Sequence, residues 1–152
     1  MAGRRTLILG IGNILLSDEG VGIHVIRELK KKILPPEVEL VDGGTGGYEL
    51  IRFFKGVDKI VIIDAIKAES EAGTLVRILP EDINTGRAVR YSAHQDGFLE
   101  LMQKVKELTH VPEMVIYGMV VEKADGFDLQ LSDKVKENIP KLISAILKEI
   151  RI

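Results

Sequence analysis

The run Lys59-Ile60-Val61-Ile62-Ile63-Asp64-Ala65 constrains this chain more than any other. Four consecutive β-branched apolar residues, with no polar alternation, describe a strand buried on both faces. That is the position of a central strand in a parallel sheet. Such a sheet needs crossover connections, and the flanking sequence supplies them. Thr6 to Leu9 is a second apolar strand, ending at Gly10-Ile11-Gly12-Asn13. Val21, Val25, Ile26, Leu29 and Ile33 then recur at helical spacing, with Ser17 or Asp18 available as a cap and Pro35-Pro36 as a stop. Val38 to Val41 predicts a strand that runs into Asp42-Gly43-Gly44. A helix through Leu50, Ile51 and Phe54 follows, with Gly56 just past its end.

Beyond the central run, Gly73 to Leu79 alternates as a strand and Pro80 closes it. Phe98, Leu101, Met102, Val105 and Leu108 form one helical stripe, and Glu113 to Val121 is another buried strand. The last helix opens at Ser132 and carries Val135, Ile139, Leu142, Ile143, Ile146, Leu147 and Ile150, with Pro140 expected to kink or restart it. Strands alternating with helices give an α/β fold: a single domain over residues 1–152, with a mostly parallel twisted sheet of about five strands and helices on both faces.

Composition limits the function classes. Lys+Arg 21 against Asp+Glu 23 gives a net charge of -2, so nothing argues for nucleic acid. With Cys 0 there is no disulfide, thiolate site or cysteine nucleophile, which fits a cytoplasmic protein. Arg4-Arg5 before the run Leu7 to Leu16 superficially resembles a targeting segment. Gly10, Gly12 and Asn13 interrupt it, however, and Ser17-Asp18-Glu19 ends it. No stretch reaches the roughly 18 apolar residues that a membrane span needs. Oligomeric state is open, with a monomer favoured.

In open α/β sheets the site lies beyond the carboxyl ends of the strands. The polar residues found there include Glu19, Asp64 and His94, from three separate segments. Two carboxylates and an imidazole suit a divalent transition metal with open positions. Each has a plainer reading: Glu19 complementing a helix dipole, Asp64 capping a turn, His94 an ordinary loop histidine. The glycine turn also resembles the start of a dinucleotide fingerprint, but Leu15 occupies the third glycine position. His24 lies five residues after Glu19, about 140° round an ideal helix, and is not expected to share its face. His110 precedes Val111-Pro112 and reads as structural or solvated.

The segment Gly10-Ile11-Gly12-Asn13-Ile14-Leu15-Leu16-Ser17-Asp18-Glu19-Gly20-Val21-Gly22 resembles the opening signature of the hydrogenase maturation endopeptidases. Val41-Asp42-Gly43-Gly44-Thr45 is similar to that family's glycine loop, Ile62-Ile63-Asp64-Ala65 to its central strand, and Ser92-Ala93-His94-Gln95 to its histidine segment. Together the four cover nearly the whole chain in register. Ser92-Ala93 stands where many relatives carry Ser-Pro, and Glu19 is followed by Gly20.

The resemblance implies Glu19, Asp64 and His94 as metal contacts and Asp42 as a further acidic position implicated in activity. Gly43 and Gly44 would let a peptide chain pass close. Asn13 would brace the glycine turn or bind substrate backbone, and Tyr48 and Phe98 would line the approach or simply pack. It also implies the reaction: removal of a C-terminal extension from the large-subunit precursor of a nickel–iron hydrogenase after nickel insertion. The nickel would then come with the substrate, although another divalent metal could occupy the site in the isolated protein. Asp42 or a ligand carboxylate, Glu19 or Asp64, would handle the proton. Ligation needs neutral imidazole, so binding would weaken as pH falls through the titration of His94. Ser17, Ser92 and Thr45 lack a base partner for a serine mechanism. The alternatives are a checkpoint or chaperone that senses nickel in the precursor without cutting it, and, more remotely, a nucleotide-binding domain.

Overall fold

The run at Lys59 forms the middle of the sheet. A computed structural model describes residues 4–83, 90–91, 101–122 and 128–151. Strands β1 (Thr6–Ile11), β2 (Val38–Gly44), β3 (Lys59–Lys67), β4 (Leu75–Ile78) and β6 (Glu113–Val120) lie in the order β2-β1-β3-β6-β4, and the two-residue β5 (Arg90–Tyr91) pairs with β3. Pairing is parallel from β2 through β6 and antiparallel at β4 and β5, so the mostly parallel sheet expected from the sequence is the one observed. Ile60, Val61, Ile62, Ile63, Ala65 and Ile66 of β3 are all fully buried, as a strand covered on both sides requires.

Each face of the sheet has its own core. Ile8, Val61, Ile63, Val115 and Met119 pack under helices α1 (Val21–Leu29) and α3 (Asp133–Ile150). Leu9, Ile62, Ile66 and Ile116 pack on the opposite face against Leu50 of a 3-10 turn (Gly47–Phe53), Phe54 just after it, and Leu101 and Val105 of helical residues 101–105. A right-handed parallel crossover that moves one way along a sheet must cover one face, and one that moves back must cover the other. The chain does this. From β1 to β2 it passes through α1, and from β2 to β3 it returns through the 3-10 turn, leaving a switch point between the ends of β1 and β3.

Local expectations fail where tertiary packing overrides them. The helix expected through Leu50 and Phe54 is a 3-10 turn over seven residues, yet it buries both side chains. Helix α1 stops at Leu29: Lys31 N donates to Glu28 O and Lys32 N to Leu29 O, a tightened last turn. Ile33 is thereby carried off the stripe and lies fully exposed. Neither Ser17 nor Asp18 caps α1, because they sit in a 3-10 turn (Ser17–Gly20) ahead of it. After Pro80 comes a short helix, α2 (Pro80–Ile83). Helix α3 runs through Pro140 as one element, without a restart. A mid-helix proline costs about 3 kcal/mol. Val135, Ile139, Leu142 and Ile146, buried on both sides of it, each contribute about 1.5–3 kcal/mol.

The far end of α3 is tied to the sheet by one carboxylate. Lys59 Nζ donates to Glu149 Oε2 at 2.7 Å and to Glu149 O at 3.0 Å, while Arg77 Nε and Tyr117 Oη each donate to Oε1 at 2.7 Å. The Arg77 hydrogen bond, with those from Lys59 and Tyr117, outweighs partial burial and holds the Glu149 carboxyl down at about 2. A carboxyl lowered on folding contributes stability above its ordinary range, and loses it as pH falls from there through the folded value. Glu149→Gln is therefore expected to cost about 3 kcal/mol near neutral pH, since it strands the buried Lys59 ammonium. The deficit should shrink in urea titrations run progressively below about pH 4. Equal deficits across that window would contradict the assignment.

Candidate active site

Three glycines bring the Glu19 turn onto the ends of β1 and β3 at the switch point. A Cβ on Gly12 would stand 2.1 Å from Glu19 O, and Asn13 N donates to that same carbonyl at 3.2 Å. The peptide of Glu19 thus lies directly on the exit of β1. A Cβ on Gly10 would stand 2.4 Å from Gly22 O, and one on Gly22 would stand 2.5 Å from both Ile11 O and Ile63 O. The first turn of helix α1 therefore rests at Gly22 on bare β1 and β3 backbone, three residues after Glu19 and beside the peptide preceding Asp64. The turn that carries Glu19 contacts β3.

Both carboxyl side chains are withdrawn from solvent: Glu19 and Asp64 are each 1% exposed. Buried acids at a strand end are candidates for a functional site. Asp64 Oδ1 accepts from the Ala65 amide at 2.8 Å. By strand alternation its side chain falls on the face of Ile62 and Ile66, the one covered by helical residues 101–105. Carboxylates are the donor type that a divalent cation takes, so the chemistry of the described part of the donor set fits the expected one. His94 lies outside the described residues, as do Ser92 and Phe98, and the side chain of Tyr48 is likewise outside them.

The remaining candidates separate. Gly10 pairs with Asp42, which places Asp42 at the same end of the sheet, and its exposed side chain accepts from Gly44 N at 3.0 Å. Alternation puts it on the face of Leu40, opposite that of Asp64. A register shift follows at Gly43. A Cβ there would meet Leu9 and Leu50 side chains at 2.8 and 3.2 Å, so the space that Gly43 leaves is filled by the protein's own core. Gly44, at φ 52°, has no such neighbour and turns the chain in a backbone region that favours glycine. Asn13 braces the turn, its Oδ1 accepting from Leu15 N at 2.9 Å.

Three further sequence readings meet the structure here. Ser17 Oγ donates to Gln130 O at 2.7 Å and so is committed to a structural bond. Burial, then the Arg27 charge, lowers the His24 pKa, and its Nε2 has no hydrogen-bond partner among the described residues. His110 lies 3.3 Å from Asp58, beside the start of β3 and away from the strand ends of the site. The nucleotide reading loses its footing, because Gly12 admits Glu19 O rather than a phosphate and α1 begins only at Val21.

Asp18 is the residue that sequence reasoning misplaced. Fully buried, it accepts from Ser132 N and Ser132 Oγ at 2.7 Å each and from Glu122 N at 3.0 Å. No local signal marks it, since these partners lie 104 and 114 residues away in sequence.

A single α/β domain with buried acids at the switch point of its sheet defines a class in which chemistry sits at the strand ends. Comparison narrows the class. Residues 23–149 match the family model described as hydrogenase maturation protease. The chain is 31% identical over 150 residues to the hydrogenase 2 maturation protease of Escherichia coli, covering 97% of this chain and 91% of that one. It is also 31% identical over 156 residues to a putative hydrogenase maturation protease of Methanocaldococcus jannaschii, covering 99% of both. The solved structure of the E. coli hydrogenase-maturating endopeptidase HybD superposes with a TM-score of 0.86 at 30% identity, covering 97% of this chain and 92% of that one. The [NiFe] hydrogenase maturation protease HybD of Thermococcus kodakarensis does so at 0.83 and 29%, covering 97% and 99%. This chain belongs to the hydrogenase maturation protease family.

Proposed function

We propose that this protease removes the C-terminal extension of a nickel-loaded [NiFe] hydrogenase large-subunit precursor, recognising the nickel that the precursor carries. The observation that supports this most is the burial of the Glu19 and Asp64 carboxyls at the switch point, beside the glycine-lined exit of β1. Glu19, Asp64 and His94 are the residues that would hold the cation, which when bound would supply Lewis-acid polarisation near the scissile peptide. Because the ion arrives with the substrate, cleavage waits for nickel insertion.

The chain's own groups then orient the peptide and move the proton. Asn13 and Gly44 border the entrance beside Gly12, whose amide is already bonded to Gly44 O at 2.9 Å. Gly43 contributes backbone at the same edge. Asp42 is the solvent-facing acid at that end of the sheet and is placed to exchange a proton with water. Asp42→Asn keeps the Oδ1 acceptor for Gly44 N, so the loop survives. It is expected to lower kcat by about tenfold to a hundredfold at little change in KM, as removal of a general acid–base group does. An unchanged kcat would transfer that role to Glu19 or Asp64. Absence of cysteine and a net charge of -2 suit a protein that works in the cytoplasm, as a monomer, on another protein. No helix among the described residues is long and apolar enough to cross a membrane.

Incubating the purified protein with nickel-loaded and nickel-free precursor, followed by intact-mass measurement, tests the reading. The expected product is a shortened large subunit from the loaded precursor alone. A stable complex with uncut loaded precursor would instead identify a checkpoint, and cleavage of both forms would remove the nickel requirement.

A further inference from the structure

We infer that Asp18 is a positioning residue that locks the loop carrying Glu19 to both ends of the segment between β6 and α3. The assignment rests on the reading of Glu19 as a ligand of the substrate's nickel. Among the described residues, three donors converge on one fully buried carboxylate: Glu122 N just after β6, and Ser132 N and Oγ just before α3. The flanking bonds lock the same register. Ser17 N donates to Asp128 O at 2.7 Å, Asp128 N to Leu15 O at 2.8 Å, and Ser17 Oγ to Gln130 O. Leu16 and Asp128 form a parallel bridge, so the loop is in effect stitched to residues 128–132 as an added strand.

The loop would not hold this shape alone. Ser17 adopts φ 48°, a left-handed conformation that costs a non-glycine residue about 1–2 kcal/mol and persists only where surroundings over-determine it. Asp18 is the strongest of those surroundings, since hydrogen bonds to a carboxylate are roughly twice as strong as neutral ones. Its neighbour Glu19 is then fixed in direction by two peptides, Glu19 N donating to Leu16 O and Glu19 O accepting from Asn13 N. A polar cavity of about 370 Å³ lined by Ser17, Glu122, Asp128, Gln130 and Lys134 borders the clamp on its outer side. Adjacent acids in one turn thus divide the work: Asp18 holds the loop to the scaffold, and Glu19 is the one assigned to the ion.

Asp18→Asn tests this, because an amide nitrogen in place of Oδ2 opposes the Glu122 N–H while the volume stays the same. Hydrogen exchange followed by mass spectrometry should show faster exchange confined to residues 13–19 and 128–132, with β3 and the middle of α3 still protected. At matched folded fractions, kcat for nickel-loaded precursor should fall by about tenfold or more with KM within about twofold, as loss of a group that orients a ligand does. Ser132→Ala removes one of the three donors and should give the same pattern at about threefold, and it carries the test if Asp18→Asn fails to fold. Unchanged exchange in the loop, or looser exchange with wild-type kcat, would overturn the proposal. A wild-type protein that does not cut the precursor would refute the protease reading instead, and loop exchange alone would then judge the clamp.

Discussion

Glu19→Gln and Asp64→Asn are each expected to leave the protein folded and to stop cleavage of nickel-loaded precursor, and His94→Ala to do the same. The substitutions at Glu19 and Asp64 preserve side-chain volume at positions 1% exposed, so neither opens a cavity. Neither position touches the Lys59, Arg77 and Glu149 cluster that anchors α3, so urea midpoints should remain close to wild type. What is lost is an anionic donor to a cation. A ligand of that kind contributes several kcal/mol of charge stabilisation, which converts to a loss of roughly a hundredfold or more in kcat/KM. Quantitative mass spectrometry of the precursor and its shortened product measures this. Near-normal cleavage by all three variants would dismiss the site, whatever family the chain belongs to.

The second large effect comes from a residue without a side chain. Gly22→Ala is expected to destabilise the fold by about 3 kcal/mol and to abolish most cleavage. The added methyl would stand 2.5 Å from two carbonyl oxygens, Ile11 O and Ile63 O, and neither can swing aside because both belong to the central sheet. Relief requires α1 to lift from β1 and β3. Since α1 follows the Glu19 turn directly, lifting it displaces that turn from the ends of β1 and β3. Cleavage measured at temperatures where Gly22→Ala remains folded should still be depressed, which separates displacement from unfolding. Wild-type stability and cleavage in this variant would show that the helix does not rest on bare backbone.

How much of this was legible beforehand differs by element. β3 and β6 were readable because a run such as Ile60 to Ile63, apolar at every position, has few homes other than the middle of a sheet. The stripe of α3 was readable for a similar reason, although a proline at 140 argued for a kink or a restart, and the helix does not restart there. Glu19, Asp64 and Asp42 were placed at the strand ends by the general rule for open sheets, and all three lie at that end of the sheet, although Asp42 falls on the opposite face from Asp64.

The failures share a cause. Asp18 was taken as a helix cap because capping is a local property, whereas its partners arrive from β6 and α3. Gly43 was read as keeping the backbone low for a passing peptide, and the structure adds that the side chains of Leu9 and Leu50 fill the space on its Cβ side. Ile33 fitted a helical period that a tightened last turn brings to an end. In each case contacts remote in sequence decided between options that local chemistry left equal.

The most direct test is an anomalous-difference map from crystals of this protein soaked in Ni²⁺. A single strong peak bonded by the carboxylates of Glu19 and Asp64 and the imidazole of His94 is the expected result. Nickel bound elsewhere, with those side chains directed into separate regions, would contradict the account.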